Sequence, residues 1–244
     1  MNNNKSKLIT CDNFYDDPNQ IRYLALRQGL CNHGYHPGMR TLPCFNHEAH
    51  DKITTLMNKP IYPSGDCYAF QFNTATDVSW IHTDVVPNEL ITNPDYDFWA
   101  AVIYLSPEPI LSCGTTLYKH KKYGYSGLKD VINNENRSKG EILVNAMSKD
   151  GSDLSKWTKA TTIGNVYNRI VLYDASYYHA SNSYFGNTKE DCRLLQIFFF
   201  HTKKHESNIK KPAIEYRTND FMNHANTLSV NTTGGFLNKL KNRI

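Results

Sequence analysis

No part of the chain approaches the ~20 consecutive apolar residues that a membrane-crossing helix requires, so a membrane-spanning protein is not expected. The start, Met1-Asn2-Asn3-Asn4-Lys5, is polar and leads into Leu8-Ile9-Thr10 without the apolar run of a secretory signal, which predicts a cytoplasmic location. There is no C-x-x-C unit. Cys11, Cys31, Cys44, Cys67, Cys113 and Cys192 are scattered, so they are expected as reduced thiols rather than a disulfide framework or a zinc finger. The net charge of +4 is not gathered into a basic motif, and no nucleic-acid partner is expected. No internal repeat is visible. His47-Glu48-Ala49-His50 lacks the H-E-x-x-H spacing of a helical zinc site and is expected on a helix surface.

What remains is 244 residues with 40% hydrophobic and 12% aromatic content, enough for one domain with a substantial core. The helical signals come early. Asp17 is placed to cap a helix, Pro18 suits its first turn and Gly29 its end, with Ile21, Leu24 and Ala25 forming an apolar face. A second helix is predicted over residues 48–59, burying Ile53, Leu56 and Met57. From Cys67 the texture turns to strands, at residues 68–73, 79–82, 99–105, 115–118, 168–173 and 193–201. Short strands separated by turn signals predict a mainly β sandwich or barrel. The expected plan is a single domain over 1–244: helical support over 1–66, a β core over 67–205 and a C-terminal extension over 206–244. The polar stretch 119–162 reads as an insertion, either a lid or surface decoration, and the end of the extension as loosely ordered.

The chemistry concentrates at three positions. On an extended segment the i, i+2 spacing of His82-Thr83-Asp84 puts an imidazole and a carboxylate on one face. Two histidines and one carboxylate form the facial triad of non-haem iron(II) oxygenases, and His179 is the candidate third ligand. Arg193 opens the last strand and alternates with Leu195, Ile197 and Phe199, so it is expected to point inward. A buried guanidinium is costly without an anion, and its planar fork matches a carboxylate. Arg169 is the reserve for that role.

These residues make the chain resemble the 2-oxoglutarate-dependent oxygenases, and within them the prolyl-4-hydroxylase-like branch. The resemblance runs from about Tyr68 to Phe200. Its phrases are Trp80-Ile81-His82-Thr83-Asp84, Val102-Ile103-Tyr104-Leu105-Ser106, Cys113-Gly114-Thr115-Thr116-Leu117-Tyr118 and Asn168-Arg169-Ile170-Val171-Leu172-Tyr173, followed by His179 and Arg193. Cys113 stands where the family often has a glycine, and the interval from His179 to Arg193 is longer than usual. The resemblance implies a double-stranded β-helix, the jelly-roll or cupin-like barrel. It implies iron(II) on His82, Asp84 and His179, with 2-oxoglutarate chelating the metal and its far carboxylate on Arg193. Tyr68, Asn73, Tyr104 and Thr116 are further candidates for holding the cosubstrate. With O2, such a site hydroxylates a C–H bond of an amino-acid, peptidyl or small-molecule substrate, releasing succinate and CO2. A jelly-roll binding module without catalysis, and a metal-dependent hydrolase or isomerase, are the alternatives. Tyr177, Tyr178, Tyr184, Trp80 and Trp99 are candidate pocket aromatics. The oligomeric state is not legible.

Overall fold

The computed structural model describes residues 7–31 and 36–206; the expected C-terminal extension beyond residue 206 lies outside the described residues. The chain begins with strand β1 (Leu8–Cys11) and helix α1 (Pro18–Arg27). The Asp17 side chain accepts from the Gln20 backbone N–H, and Pro18 occupies the first turn, as the sequence predicts. Strand β2 (Met39–Arg40) leads to helix α2 (His47–Met57), capped by Asn46, whose side chain accepts from Ala49 N. Strands β3 (Tyr62–Pro63) and β4 (Phe70–Asn73), helix α3 (Pro87–Thr92), and strands β5 (Tyr96–Tyr104) and β6 (Thr115–His120) follow. Helices α4 (Leu128–Asn134) and α5 (Arg137–Lys149) precede strands β7 (Trp157–Ile163), β8 (Ile170–Asp174), β9 (His179–Ser181) and β10 (Arg193–Lys203).

The strands form two antiparallel sheets, and no closed barrel is present among the described residues. The larger runs β1-β8-β5-β10-β4-β2, with β3 also pairing β10; the smaller runs β7-β6-β9. The period of two divides the large sheet between two cores. Ala101 and Ile103 of β5, Ile170 and Leu172 of β8, and Leu194, Phe198 and Phe200 of β10 pack with Ile21, Ala25, Ala49 and Ile53 of α1 and α2. Ala100 and Tyr104 of β5, Val171 and Tyr173 of β8, and Leu195 and Ile197 of β10 pack with Leu117 and Ile163 of the small sheet. The early helices therefore brace one face of the large sheet, and the small sheet covers the other.

Two expectations change. Residues 79–82 are not a strand; His82 makes a single antiparallel bridge, exchanging both backbone hydrogen bonds with His179 (His82 N to His179 O 3.0 Å, His179 N to His82 O 2.9 Å). The stretch 119–162 is not mere decoration either. α4 and α5 bury Leu128, Val131 and Met147 in the inter-sheet core, and β7 supplies one edge of the small sheet. No helix among the described residues is long and apolar enough to cross a membrane.

Candidate metal centre

His82 precedes α3 and reaches the inter-sheet space through its bridge to His179, which opens β9. Two residues on, Asp84 N donates to Ala175 O at 2.9 Å and fixes the carboxylate between the imidazoles. Asp84 Oδ2 lies 3.1 Å from His179 Nε2, and Oδ1 lies 3.7 Å from His82 Nε2. One donor atom from each of the three side chains falls within 4.8 Å of the others, and no other such group of histidine, cysteine and acidic residues exists among the described residues. The remaining imidazole nitrogens are both tied down. His82 Nδ1 meets Trp80 O at 2.9 Å, and His179 Nδ1 meets Tyr177 O at 3.0 Å. A carbonyl can only accept, so each Nδ1 carries a proton and each Nε2 is the nitrogen that faces Asp84 and the centre.

The electrostatics favour an ionised carboxylate. Burial opposes the charge on Asp84, but the flanking His179 and His82 outweigh it and hold the carboxyl well below its usual range. Burial lowers the His82 value and Asp84 raises it by more, a net rise. Tyr173 donates its hydroxyl to Asp84 Oδ2 at 3.3 Å. Burial and then the Asp84 charge push that phenol far up, so it keeps its proton.

Arg193 occupies the same pocket at 1% exposure. Its Nε donates to Cys113 O at 2.7 Å, while Nη1 and Nη2 have no hydrogen-bond partner among the described residues. The Tyr104 and Tyr184 rings lie 5.5 and 5.6 Å from the guanidinium carbon. An unpaired buried neutral donor costs ~1–3 kcal/mol, and an unpaired buried charge several kcal/mol. The unpartnered fork lies in the pocket that also holds His82, Asp84 and His179. Gly114 makes the carbonyl contact reachable: a Cβ there would lie 1.9 Å from Ile163 O, so only glycine lets the turn close against β7.

The structure thus brings together His82, Asp84, His179 and Arg193. Arg169, the reserve, instead pairs with Asp12, its Nη2 donating to Oδ2 at 2.8 Å. The other candidates divide. Tyr104 stays close to the guanidinium and shares a hydrogen bond with Thr115 Oγ1 at 2.9 Å. Tyr68 belongs to the helix-side core and its hydroxyl meets His50 Nδ1 at 2.7 Å, away from the pocket. The Asn73 amide is consumed within the protein, donating to Pro37 O at 3.0 Å and accepting from Gln71 Nε2 at 3.2 Å. Thr116 turns away, donating to Asn182 Oδ1 at 2.6 Å; its neighbour Thr115 lines the pocket instead. One residue of register decides between them.

Of the candidate aromatics, Trp80 and Tyr184 line the pocket, whereas Tyr177 and Tyr178 pack in the inter-sheet core and Trp99 in the helix-side core. Sequence reasoning missed Tyr173, Thr115, Gln71 and Arg40. Period-two alternation from Val171 would have found Tyr173, and the pairing of Leu195 with Gln71 would have found Gln71.

Several solved structures align with this chain at low identity. HygX from Streptomyces hygroscopicus, solved with nickel and 2-oxoglutarate bound, aligns with a TM-score of 0.49 and 12% identity, over 86% of this chain and 88% of that one. An oxidoreductase of the 2OG-Fe(II) oxygenase family from Burkholderia pseudomallei aligns at 0.44 and 10%, over 83% and 87%. SnoN, a non-heme alpha ketoglutarate dependent epimerase from nogalamycin biosynthesis, aligns at 0.45 and 11%, over 81% and 79%. All three TM-scores lie below 0.5, so the chemistry of the site has to come from this chain's own side chains. No curated protein matches the chain. A family model does match, over residues 1–184, about three quarters of the sequence, and by that match the chain belongs to DUF6445, a family of unknown function.

Proposed function

We propose that this protein is an iron(II)- and 2-oxoglutarate-dependent oxygenase that hydroxylates a C–H bond of a small-molecule or peptidyl substrate. His82 Nε2, the Asp84 carboxylate and His179 Nε2 are the proposed ligands, and Arg193 the proposed partner of the far carboxylate of 2-oxoglutarate. The observation that carries the reading is the fork of Arg193, buried with both Nη atoms unpartnered in the pocket that also holds the three donors. The donor set suits a divalent first-row ion with open positions. The arginine suits a planar carboxylate accepting two parallel hydrogen bonds. A hydrolytic metal centre leaves that fork unexplained. The two sheets enclosing the pocket suit a double-stranded β-helix, and the sequence phrases favour the prolyl-4-hydroxylase-like branch.

When bound, the iron and its keto acid supply oxygen activation: one oxygen atom ends in succinate as CO2 leaves, and the other becomes the hydroxyl of the product. The chain's own residues set the conditions. The Nδ1 bonds to Trp80 O and Tyr177 O orient both Nε2 atoms toward the centre, where each would bind the metal in place of a proton. Asp84, held ionised, offsets part of the metal charge, and the Tyr173 hydroxyl holds its orientation. Leu195, Ile197 and Val102 wall the pocket with apolar surface and limit water, which strengthens the Arg193–carboxylate pair. The presence of Asp84, a third protein ligand rather than a small residue, supports hydroxylation as the outcome.

The test is turnover. Purified protein supplied with iron(II), ascorbate and 2-oxoglutarate should form succinate in air, faster with a true substrate. His179→Ala should reduce this to the rate of free iron. Succinate formation equal in the wild type and His179→Ala would remove the assignment.

A further inference from the structure

The alternation that turns Arg193 inward continues along β10 and sets Leu195, Ile197, Phe199 and His201 on the same face. On β5, Phe98 pairs with His201 and Ala100 with Phe199, so Tyr96 and Phe98 share that face. A second cavity, of about 350 Å³, lies between these side chains and Glu89 of α3. Its size is within the ~300–1,000 Å³ typical of ligand pockets. Asp84 and Phe199 line both this cavity and the metal pocket. The metal pocket itself is about 80 Å³ and, on the proposed function, is filled by the metal and the keto acid. The body of the substrate then has to lie outside it.

The walls of the second cavity are aromatic and acidic. Tyr96, Phe98, Phe199 and His201 are each half-buried, so their rings keep open surface. The His201 ring meets Tyr96 at 4.8 Å and 89°, and Phe98 at 6.0 Å and 47°, which bounds a corner rather than a closed stack. Burial lowers the basicity of His201, so its ring adds no charge at neutral pH. The charged side chains of the lining are Asp84 and Glu89, and no lysine or arginine is among them. Asp84 belongs to the metal donors, which leaves Glu89. Its Oε2 accepts from Val86 N at 3.1 Å, and its Oε1 has no hydrogen-bond partner among the described residues. The cations nearby have other partners. Lys203 Nζ lies 5.5 Å from the Tyr62 ring, and Lys204 Nζ donates to Pro94 O. Arg40, which lines the metal pocket and reaches 5.9 Å from the Phe199 ring, pairs with Asp66 at 2.8 Å. Aromatic faces attract an ammonium group through their quadrupole, and an anion would meet both those faces and two carboxylates.

We propose that this second cavity seats an ammonium group of the primary substrate, with Tyr96, Phe98 and His201 around the cation and Glu89 as its counter-charge. The inference rests on the oxygenase reading and names the substrate class within it. The substrate is an alkylamine held as its cation, and the rest of the molecule reaches past Asp84 and Phe199 toward the metal.

The test titrates the full-length protein, anaerobic and supplied with iron(II) and 2-oxoglutarate, with choline and with its uncharged carbon isostere 3,3-dimethylbutanol, read by calorimetry. Choline should bind about tenfold tighter than the isostere. Glu89→Gln keeps an acceptor for Val86 N and should weaken choline roughly threefold, with the isostere unchanged. Phe98→Leu keeps the apolar wall and should weaken choline by a similar factor, roughly threefold. The double variant should bind the two probes alike. Equal affinities in the wild type overturn the proposal. A preference for choline that survives in the double variant overturns it too, because the cation then sits elsewhere. The visible charge-transfer band of the iron–keto acid complex, read in the same samples, separates the two readings. A band without a choline preference removes the substrate class and leaves the oxygenase reading standing. A choline preference that the double variant abolishes, in a protein that gives no band, removes the oxygenase reading and with it the substrate role of the cavity.

Discussion

The two faces of β10 treat their buried polar groups differently. On the helix side, Gln196 accepts from the Tyr15 hydroxyl and donates to Tyr68 O, and Asn168 brackets Tyr15 through both its backbone N–H and its carbonyl. Only single atoms are left over there, such as Thr54 Oγ1 and Trp99 Nε1. On the inter-sheet side, the same strand carries Arg193 with its fork unpaired, facing the space that Asp84 and the two histidines share. The two side chains are equally buried, Gln196 at 0% and Arg193 at 1% exposure. A polar group that the fold pairs with itself stabilises the fold, and one that it leaves unpaired costs stability until a ligand arrives. On the proposed function, that difference separates scaffold from site.

The sharpest way to break the comparison is at the triad. Asp84→Ala or His179→Ala should reduce iron-dependent turnover to background, measured as succinate released, with the fold kept by circular dichroism. Next comes Arg193→Leu, which should weaken 2-oxoglutarate by roughly 100-fold or more, since truncating one member of a buried charge pair costs ~2–5 kcal/mol. The apoprotein should lose little stability, because removal of the unpaired buried fork offsets the loss of the single Nε bond to Cys113 O. A clear drop in the midpoint of chemical unfolding would show that Arg193 is paired structurally after all.

Tyr15→Phe inverts that pattern. It strips the Gln196 side chain of its hydroxyl donor and should destabilise the protein by about 1–2 kcal/mol, with 2-oxoglutarate affinity unchanged in the same titration. A smaller effect concerns acid stability. Asp174 is held below its usual value of 3.8: burial works against the charge, and Lys129, Ser176 and Lys7 outweigh it. A carboxyl depressed in the folded state adds stability above its unfolded value and loses it as pH falls toward the folded one. Asp174→Asn should therefore flatten the stability curve on the acid side of neutrality, read from urea midpoints between pH 3 and 6. The smallest expected effect is the informative silence of Thr116→Val and Tyr68→Phe on 2-oxoglutarate binding, because neither hydroxyl faces the pocket.

Sequence legibility followed local physics. α1 and α2 were visible because caps and the 3.6 period coincide there, and β5 and β10 because their apolar runs are long. β7 escaped because it is an edge strand of the small sheet with five consecutive exposed residues between Trp157 and Ile163, so no alternation marks it. α4 and α5 escaped because they bury little beyond Leu128, Val131 and Met147 in a polar stretch. His82 and Asp84 were legible from spacing, and Arg193 from its alternation with Leu195, Ile197 and Phe199. Thr115 and Thr116 could not be told apart, because the inward residue depends on a register fixed by the pairing with β7 and β9.

The central claim is that one pocket holds a divalent metal at one end and a carboxylate at the other. Anaerobic addition of iron(II) and then 2-oxoglutarate to the wild type, Arg193→Leu and His179→Ala proteins tests both ends at once. The account predicts a saturable visible band in the wild type, the same band at far higher 2-oxoglutarate in Arg193→Leu, and no band in His179→Ala. A band that saturates at the same concentration with and without Arg193, or that persists without His179, would contradict it.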